Sequence, residues 1–201
     1  MSTATLSLPA PDGRLELDAG GLQGTWTTEQ YLRLAERTNR LVELVDGRLE
    51  ALPMPSTEHQ ILLVWLLKAL AAGAGPEALV LPAPLPLQLP NGRFREPDLL
   101  LLRTARDSRR GSRAWTGADL VVEIVSPDDP ERDYRDKRAD YAAARVAEYW
   151  IVDPGARRFS VLRLAGEVYV EHGVYGPGEV ATSPGLPTLA VDVTALFAAI
   201  G

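Results

Sequence analysis

Leu120-Val121-Val122-Glu123-Ile124-Val125 is an apolar strand with a glutamate at its centre. A run of this kind fills the middle of a sheet that is covered on both faces. An ionised carboxylate buried there is costly unless it is paired, hydrogen-bonded or bound to a cation. The same conflict recurs at Glu43, in Leu41-Val42-Glu43-Leu44-Val45, and Asp98 follows a proline and opens Leu99-Leu100-Leu101-Leu102. Carboxylates in or at the edges of core strands call for a shared partner, and a hard divalent cation is the simplest one.

The pattern around these strands predicts a mixed sheet flanked by helices, an α/β (α+β) fold. Residues 1–24 are rich in Gly and Pro and read as a loosely ordered arm, with at most a short strand at 14–17. One domain is expected over 25–201. Thr27 followed by Gln30 is a capping-box pattern that opens a helix running to about Arg37. Strands at 41–45 and 48–52 are joined by Asp46-Gly47, a strong hairpin signal. Ser56 can cap a helix over 57–72 that is apolar almost all round and so should be buried. Prolines at 82, 84, 86 and 90 confine the 79–89 strands to a sheet edge or to bulges. Strands are expected at 98–102, 120–125, 148–152, 158–164 and 167–171, with helices at 131–145 and 194–200.

Composition narrows the chemistry. There is no cysteine, which excludes disulfides, thiolate metal sites and cysteine nucleophiles. His59 and His172 are the only histidines, too few for a multi-histidine zinc site. His59 reads as a local contact at a helix N-terminus, with an approach to the site beside Glu43 as the other reading. The apolar stretch from Ile61 to Leu70 is interrupted by Lys68 and is too short to span a bilayer. With no signal-peptide pattern at the N-terminus, a cytoplasmic protein with no membrane partner is expected. The net charge of −6 argues against a general nucleic-acid coat protein. It leaves room for an enzyme with a locally basic groove. Arg103, Arg106, Arg109, Arg110 and Arg113, opposed only by Asp107, form such a segment. A solvated loop is the other reading of these arginines.

Asp98 and Glu123 are expected on neighbouring strands, with Glu43 supplied by the hairpin. Oxygen ligands of this kind suit Mg²⁺ or Mn²⁺. Such an ion lowers the pKa of a bound water and neutralises phosphoryl charge. A cation to help hold water and phosphate is also needed. Lys137 is the leading candidate, on the helix that follows the Glu123 strand, with Tyr141 one turn later on the same face.

Several segments together carry a resemblance. They are Val42-Glu43-Leu44-Val45-Asp46-Gly47, Glu96-Pro97-Asp98, Val121-Val122-Glu123-Ile124-Val125-Ser126-Pro127, Asp133 with Lys137 and Tyr141, and Glu148-Tyr149-Trp150-Ile151-Val152-Asp153-Pro154. From Trp26 to Phe197 the chain resembles the Uma2 family of endonucleases, a branch of the PD-(D/E)XK nuclease superfamily with a restriction endonuclease-like fold. The resemblance implies that Asp98 and Glu123 bind the metal, with the main-chain carbonyl of Ile124 as a further ligand. It matches Glu43 to an additional glutamate from the N-terminal part. The superfamily pattern expects lysine two residues after the second acid, where this chain has Val125. In the Uma2-like arrangement the lysine comes from the neighbouring helix, which fits Lys137.

Two functions follow as expectations. One is a metal-dependent endonuclease acting on nucleic acid, with DNA favoured, gripping its substrate through the Arg103–Arg113 loop and through Arg132, Arg135 or Arg138. The other is a non-catalytic binding or assembly module on the same scaffold. A homodimer is expected by family analogy alone.

Overall fold

A computed structural model describes residues 5–10, 13–38 and 40–201. The chain begins with an antiparallel hairpin, β1 (Thr5–Ala10) and β2 (Gly13–Asp18), where the sequence suggested little more than one short strand. The rest of the arm expected at 1–24, before Thr5 and at 11–12, lies outside the described residues. Helix α1 (Thr28–Ala35) starts as its capping box dictates. Gln30 N–H donates to Thr27 Oγ1 at 3.3 Å, and Thr27 N–H donates back to Gln30 Oε1 at 2.9 Å. Then come β3 (Val42–Val45) and β4 (Arg48–Ala51), joined through Asp46 and Gly47, both at positive φ. Ser56 caps α2 (Thr57–Gly73), its hydroxyl accepting from His59 N–H at 3.1 Å.

The following strands fall into two sheets. β5 (Leu79–Pro82), β8 (Leu99–Leu102), β9 (Leu120–Ile124), β10 (Glu148–Asp153), β11 (Arg158–Ala165) and β12 (Val168–Tyr175) form a six-stranded sheet in the order β12-β11-β10-β9-β8-β5. Only β9 and β10 run parallel; the other neighbours are antiparallel. β6 (Leu87–Gln88) and β7 (Phe94–Arg95) join the β3–β4 hairpin in a four-stranded sheet, β4-β3-β7-β6. β5, which ends on Pro82, and β6, which follows Pro86, are edge strands, where prolines are tolerated.

Alternation along the central strands sorts the core into two layers. Leu99, Leu101, Leu120, Val122, Ile124, Trp150 and Val152 point to one face, under α2 and α4 (Val193–Ala198). Leu100, Leu102, Val121, Val125, Tyr149 and Ile151 point to the other, under α3 (Lys137–Ala143). By the same parity Glu123 and Asp98 belong to the α3 side. A third, smaller cluster of Tyr31, Val42, Leu44 and Phe94 joins α1 to the four-stranded sheet.

Several expectations are corrected. The helix expected over 131–145 begins as a π-helical turn, Arg132–Asp136, before α3. α2 is not buried all round: Ile61 and Val64 are exposed, because α2 lies on the sheet with one side outward. A small hairpin, β13 (Val180–Thr182) with β14 (Ala190–Asp192), was not anticipated. Among the described residues, no helix is long and apolar enough to cross a membrane.

Gly47 carries an unusual load for a turn residue. Its φ is +72°, its carbonyl accepts from Gly24 N–H and Trp26 N–H, and a Cβ there would lie 2.6 Å from the Gly24 carbonyl oxygen. Gly47→Ala should therefore lower stability by more than about 1 kcal/mol, read as a shift in urea midpoint at unchanged slope.

Candidate active site

The chain passes from the small sheet to the large one through Glu96-Pro97-Asp98, which lies between β7 and β8. Asp98 thus sits at the junction. Its carboxylate accepts from Ile124 N–H at 2.7 Å, which ties it to the end of β9 beside Glu123. The ring Nε2 of His59 lies 3.2 Å from the same carboxylate. His59 is therefore more than the local helix-end contact its position suggested, because α2 starts directly over the junction.

Glu123 is 2% exposed and held from above by α3. Lys137 Nζ lies 2.8 Å from Glu123 Oε2 and 2.9 Å from Asp133 Oδ1, and Tyr141 Oη donates to Glu123 Oε1. Burial pushes the Glu123 carboxyl up, and the neighbouring charges of Asp133 and Asp98 add to this against the pull of Lys137. Burial works against the Lys137 ammonium, but Glu123, Asp133, Glu43 and Asp98 together raise its pKa, so it stays charged at neutral pH. The π-helical turn positions this trio, as such turns often do at functional sites. The Asp133 carbonyl at its core accepts from Tyr149 Oη at 2.9 Å.

Glu43 is fully buried but stands one step back. Its carboxylate accepts from Arg95 Nη1 at 2.7 Å, from Glu96 N–H at 3.0 Å and from Arg132 Nη2. Arg95 in turn reaches Asp140 on α3 at 2.7 Å, and Arg93 links Asp140 to Asp46. The small sheet so presents an apolar face to α1 and a charged face to α3. Glu43 lies directly across from Glu50 on β4, a repulsive pair that Arg132 bridges by bonding both. Burial alone would raise Glu43; Lys137, Arg95, Arg132 and the Glu96 N–H outweigh it and hold the carboxyl at about 2. Glu96 shows the opposite outcome: burial and Glu43 push it up to about 7 despite the Val42 N–H it accepts.

His59, Asp98, Glu123, Asp133 and Lys137 line one pocket of about 620 Å³ at the junction of the sheets, with Glu43, Arg95 and Asp140 behind its wall. Glu96, Asp98, Glu123, Asp128, Asp129 and Asp133 face it, against Arg40, Arg132 and Lys137. A polyanion meets an excess of negative charge there unless a cation enters with it. Among the described residues, no three His, Asp or Glu groups stand together as a ready-made cation cage. Asp133 Oδ1 is buried without a well-directed hydrogen bond. Carboxylate oxygens and surplus acid suit a hard divalent cation, which binds through one or two carboxylates and takes further ligands from water or phosphate.

Of the arginines expected to grip substrate, Arg132 lines the pocket and the others lie outside it. Arg109 pairs with Asp107 and Asp119 at 2.8 Å, Arg113 pairs with Glu29 and Glu36, and Arg110 donates to the Ala105 carbonyl. Arg103 N–H donates to Asp119, and Arg106 N–H to Thr104. None of the five lines the pocket, and Arg135 is exposed on the π-helical turn before α3, paired with Asp136. Sequence reasoning missed Arg40, exposed at the pocket rim, and Arg95 with Asp140, whose partners are 45 residues apart. Only the odd arginine next to Phe94 in a short strand hinted at the latter.

A family model named Uma2, described as "Putative restriction endonuclease", matches residues 28–194. A crystal structure described as "a putative nuclease belonging to DUF820" from Anabaena variabilis superposes with a TM-score of 0.72 at 18% sequence identity, covering 87% of this chain and 99% of that one. At that identity the likeness speaks for the fold. No curated protein matches the chain.

Two outcomes test this charge arrangement. Arg95→Leu leaves Glu43 and Asp140 short of a buried partner and should cost about 3–5 kcal/mol in urea unfolding. Glu43 sits at about 2 in the folded state against 4.5 unfolded, so its contribution is complete above pH 4.5 and fades as pH falls towards 2. Glu43→Gln should lower the melting temperature at neutral pH and flatten the acid limb of the melting curve. An acid limb identical to wild type would show that other carboxylates set it.

Proposed function

Since the chain belongs to the Uma2 family, we propose that it is an endonuclease that hydrolyses phosphodiester bonds of nucleic acid, DNA first among them, with Mg²⁺ or Mn²⁺. The observation that carries this reading is the convergence of Asp98, Glu123, Asp133 and Lys137 on one acidic pocket between the sheets. Asp98 and Glu123 would hold the ion, with the Ile124 carbonyl beside them. The bound ion would supply an activated water and offset phosphoryl charge.

The chain's own groups divide the remaining work. Lys137 keeps its proton and presents it beside Glu123, where it can donate to a phosphate oxygen and orient the attacking water. Asp133 fixes the ammonium, Tyr141 fixes Glu123, and His59 and Ile124 N–H fix Asp98. Glu43 acts through Arg95 and Arg132, holding the wall of the pocket rather than touching substrate. Arg40, which has no ion pair among the described residues, and Arg132 are the cations that can meet flanking phosphates.

A non-catalytic binding module is the second reading, and the self-contained Glu123–Lys137 pair is what favours it. Calorimetric titration with Mn²⁺, alone and with a short duplex, separates the two. Wild type should bind and Glu123→Gln should not; no binding by either in both settings would support the module. On plasmid DNA, Asp98→Asn and Lys137→Ala should each cut activity about 10²–10³-fold. A confirmed cleavage that both variants retain in full would sink the nuclease assignment of these residues. Arg40→Ala should weaken DNA binding and reduce its salt slope by about 1, while Arg113→Ala should leave the slope unchanged.

A further inference from the structure

The pocket has two unlike walls. One is the acidic cluster with Lys137; the other is apolar, built from Leu41, Leu52, Pro53, Met54 and Pro55. Met54 is 84% exposed, the most exposed of the large hydrophobic side chains among the described residues. A single exposed apolar residue is ordinary and by itself says nothing. Its setting is what matters. Met54 stands at the tip of the β4–α2 connection between two prolines. Pro53 and Pro55 have their own φ fixed, and Pro55 also restricts Met54 to extended backbone. The tip is thus stiff and loses little conformational freedom when something packs on it.

A phosphodiester brings no apolar surface, so phosphate alone would leave this wall without a partner. The flat apolar face that comes attached to a phosphate in nucleic acid is the base. In a paired duplex that face is covered by its stacked neighbours, and reaching a pocket wall requires extrusion at a cost of a few kcal/mol, least where the base is unpaired. Methionine and proline are side chains that proteins use against unstacked bases. The volume of about 620 Å³ lies within the range of small-molecule pockets, about 300–1,000 Å³, which suits a nucleotide drawn out of its helix.

We infer that the pocket receives an unpaired nucleotide, with its phosphate at the Lys137 side and its base against Pro53-Met54-Pro55, so that the preferred substrate is a bulge, flap or single strand rather than a continuous duplex. The inference rests on the nuclease reading and narrows its substrate class.

The test uses three oligonucleotides of shared sequence: a full duplex, the duplex with a one-nucleotide bulge, and the single strand. With Mn²⁺, wild type should cleave the bulged and single-stranded forms at least tenfold faster than the duplex, and Met54→Ala should shrink that ratio several-fold. Val180→Ala, an exposed apolar residue that does not line the pocket, is the control and should leave the ratio unchanged. In parallel, 2-aminopurine at the bulge should change its fluorescence on binding to wild type kept uncut with Ca²⁺ in place of Mn²⁺, and this change should diminish when Met54→Ala is added. Equal rates on duplex and bulge, or a ratio and fluorescence that ignore Met54, would overturn the inference while leaving the nuclease reading in place. If nothing is cut yet the Met54-dependent fluorescence change persists, hydrolysis fails and the nucleotide pocket stands. If nothing is cut and no fluorescence change occurs, both fail.

Discussion

The guanidinium of Arg95, buried between Glu43 and Asp140, is the contact on which the rest of the arrangement depends. It joins the charged face of the small sheet to α3, and α3 carries the lysine that meets Glu123. Apolar residues could hold these layers together about as strongly, since buried ion pairs seldom exceed a hydrophobic replacement in net stability. Charge-assisted bonds add direction: each fixes an angle as well as a distance. Arg93 and Arg132 extend the same lattice to the β3–β4 turn and to Glu50, so strand, hairpin and helix share one register.

That register brings a lysine from a helix, not from the strand itself, to the side of Glu123. Position 125 points into the apolar layer under α3, among Tyr141, Tyr149 and Ile151, and Val125 is nearly fully buried there. A lysine at that site would have to bury its charge among those side chains. Lys137 instead descends from α3, with Asp133 one turn back to share its charge. The widened turn at 132–136 allows Asp133 and Lys137 to face the same carboxylate while Tyr149 still caps the Asp133 carbonyl.

The sequence made much of this legible where the signal was local. The apolar strands with one misplaced carboxylate led directly to Asp98 and Glu123, and the helix-face spacing led to Lys137 and Tyr141. Caps and hairpin turns set the ends of α1, α2 and the β3–β4 pair close to where they lie. What stayed hidden was non-local. Arg95 and Asp140 each look like surface residues until the fold brings them together across 45 positions. The arginines at 103–113 looked like a grip for phosphate because their partners Glu29, Glu36 and Asp119 are too far along the chain to be noticed. β13 and β14 are three residues each, too short for alternation to declare itself.

The route of the chain through Glu96-Pro97-Asp98 has a further consequence. Asp98 belongs wholly to neither sheet, because it rides on the link between them. Its carboxylate is seated by the Ile124 N–H of the large sheet and by His59 on α2, so a shift of α2 against β9 would move it with no change in either sheet.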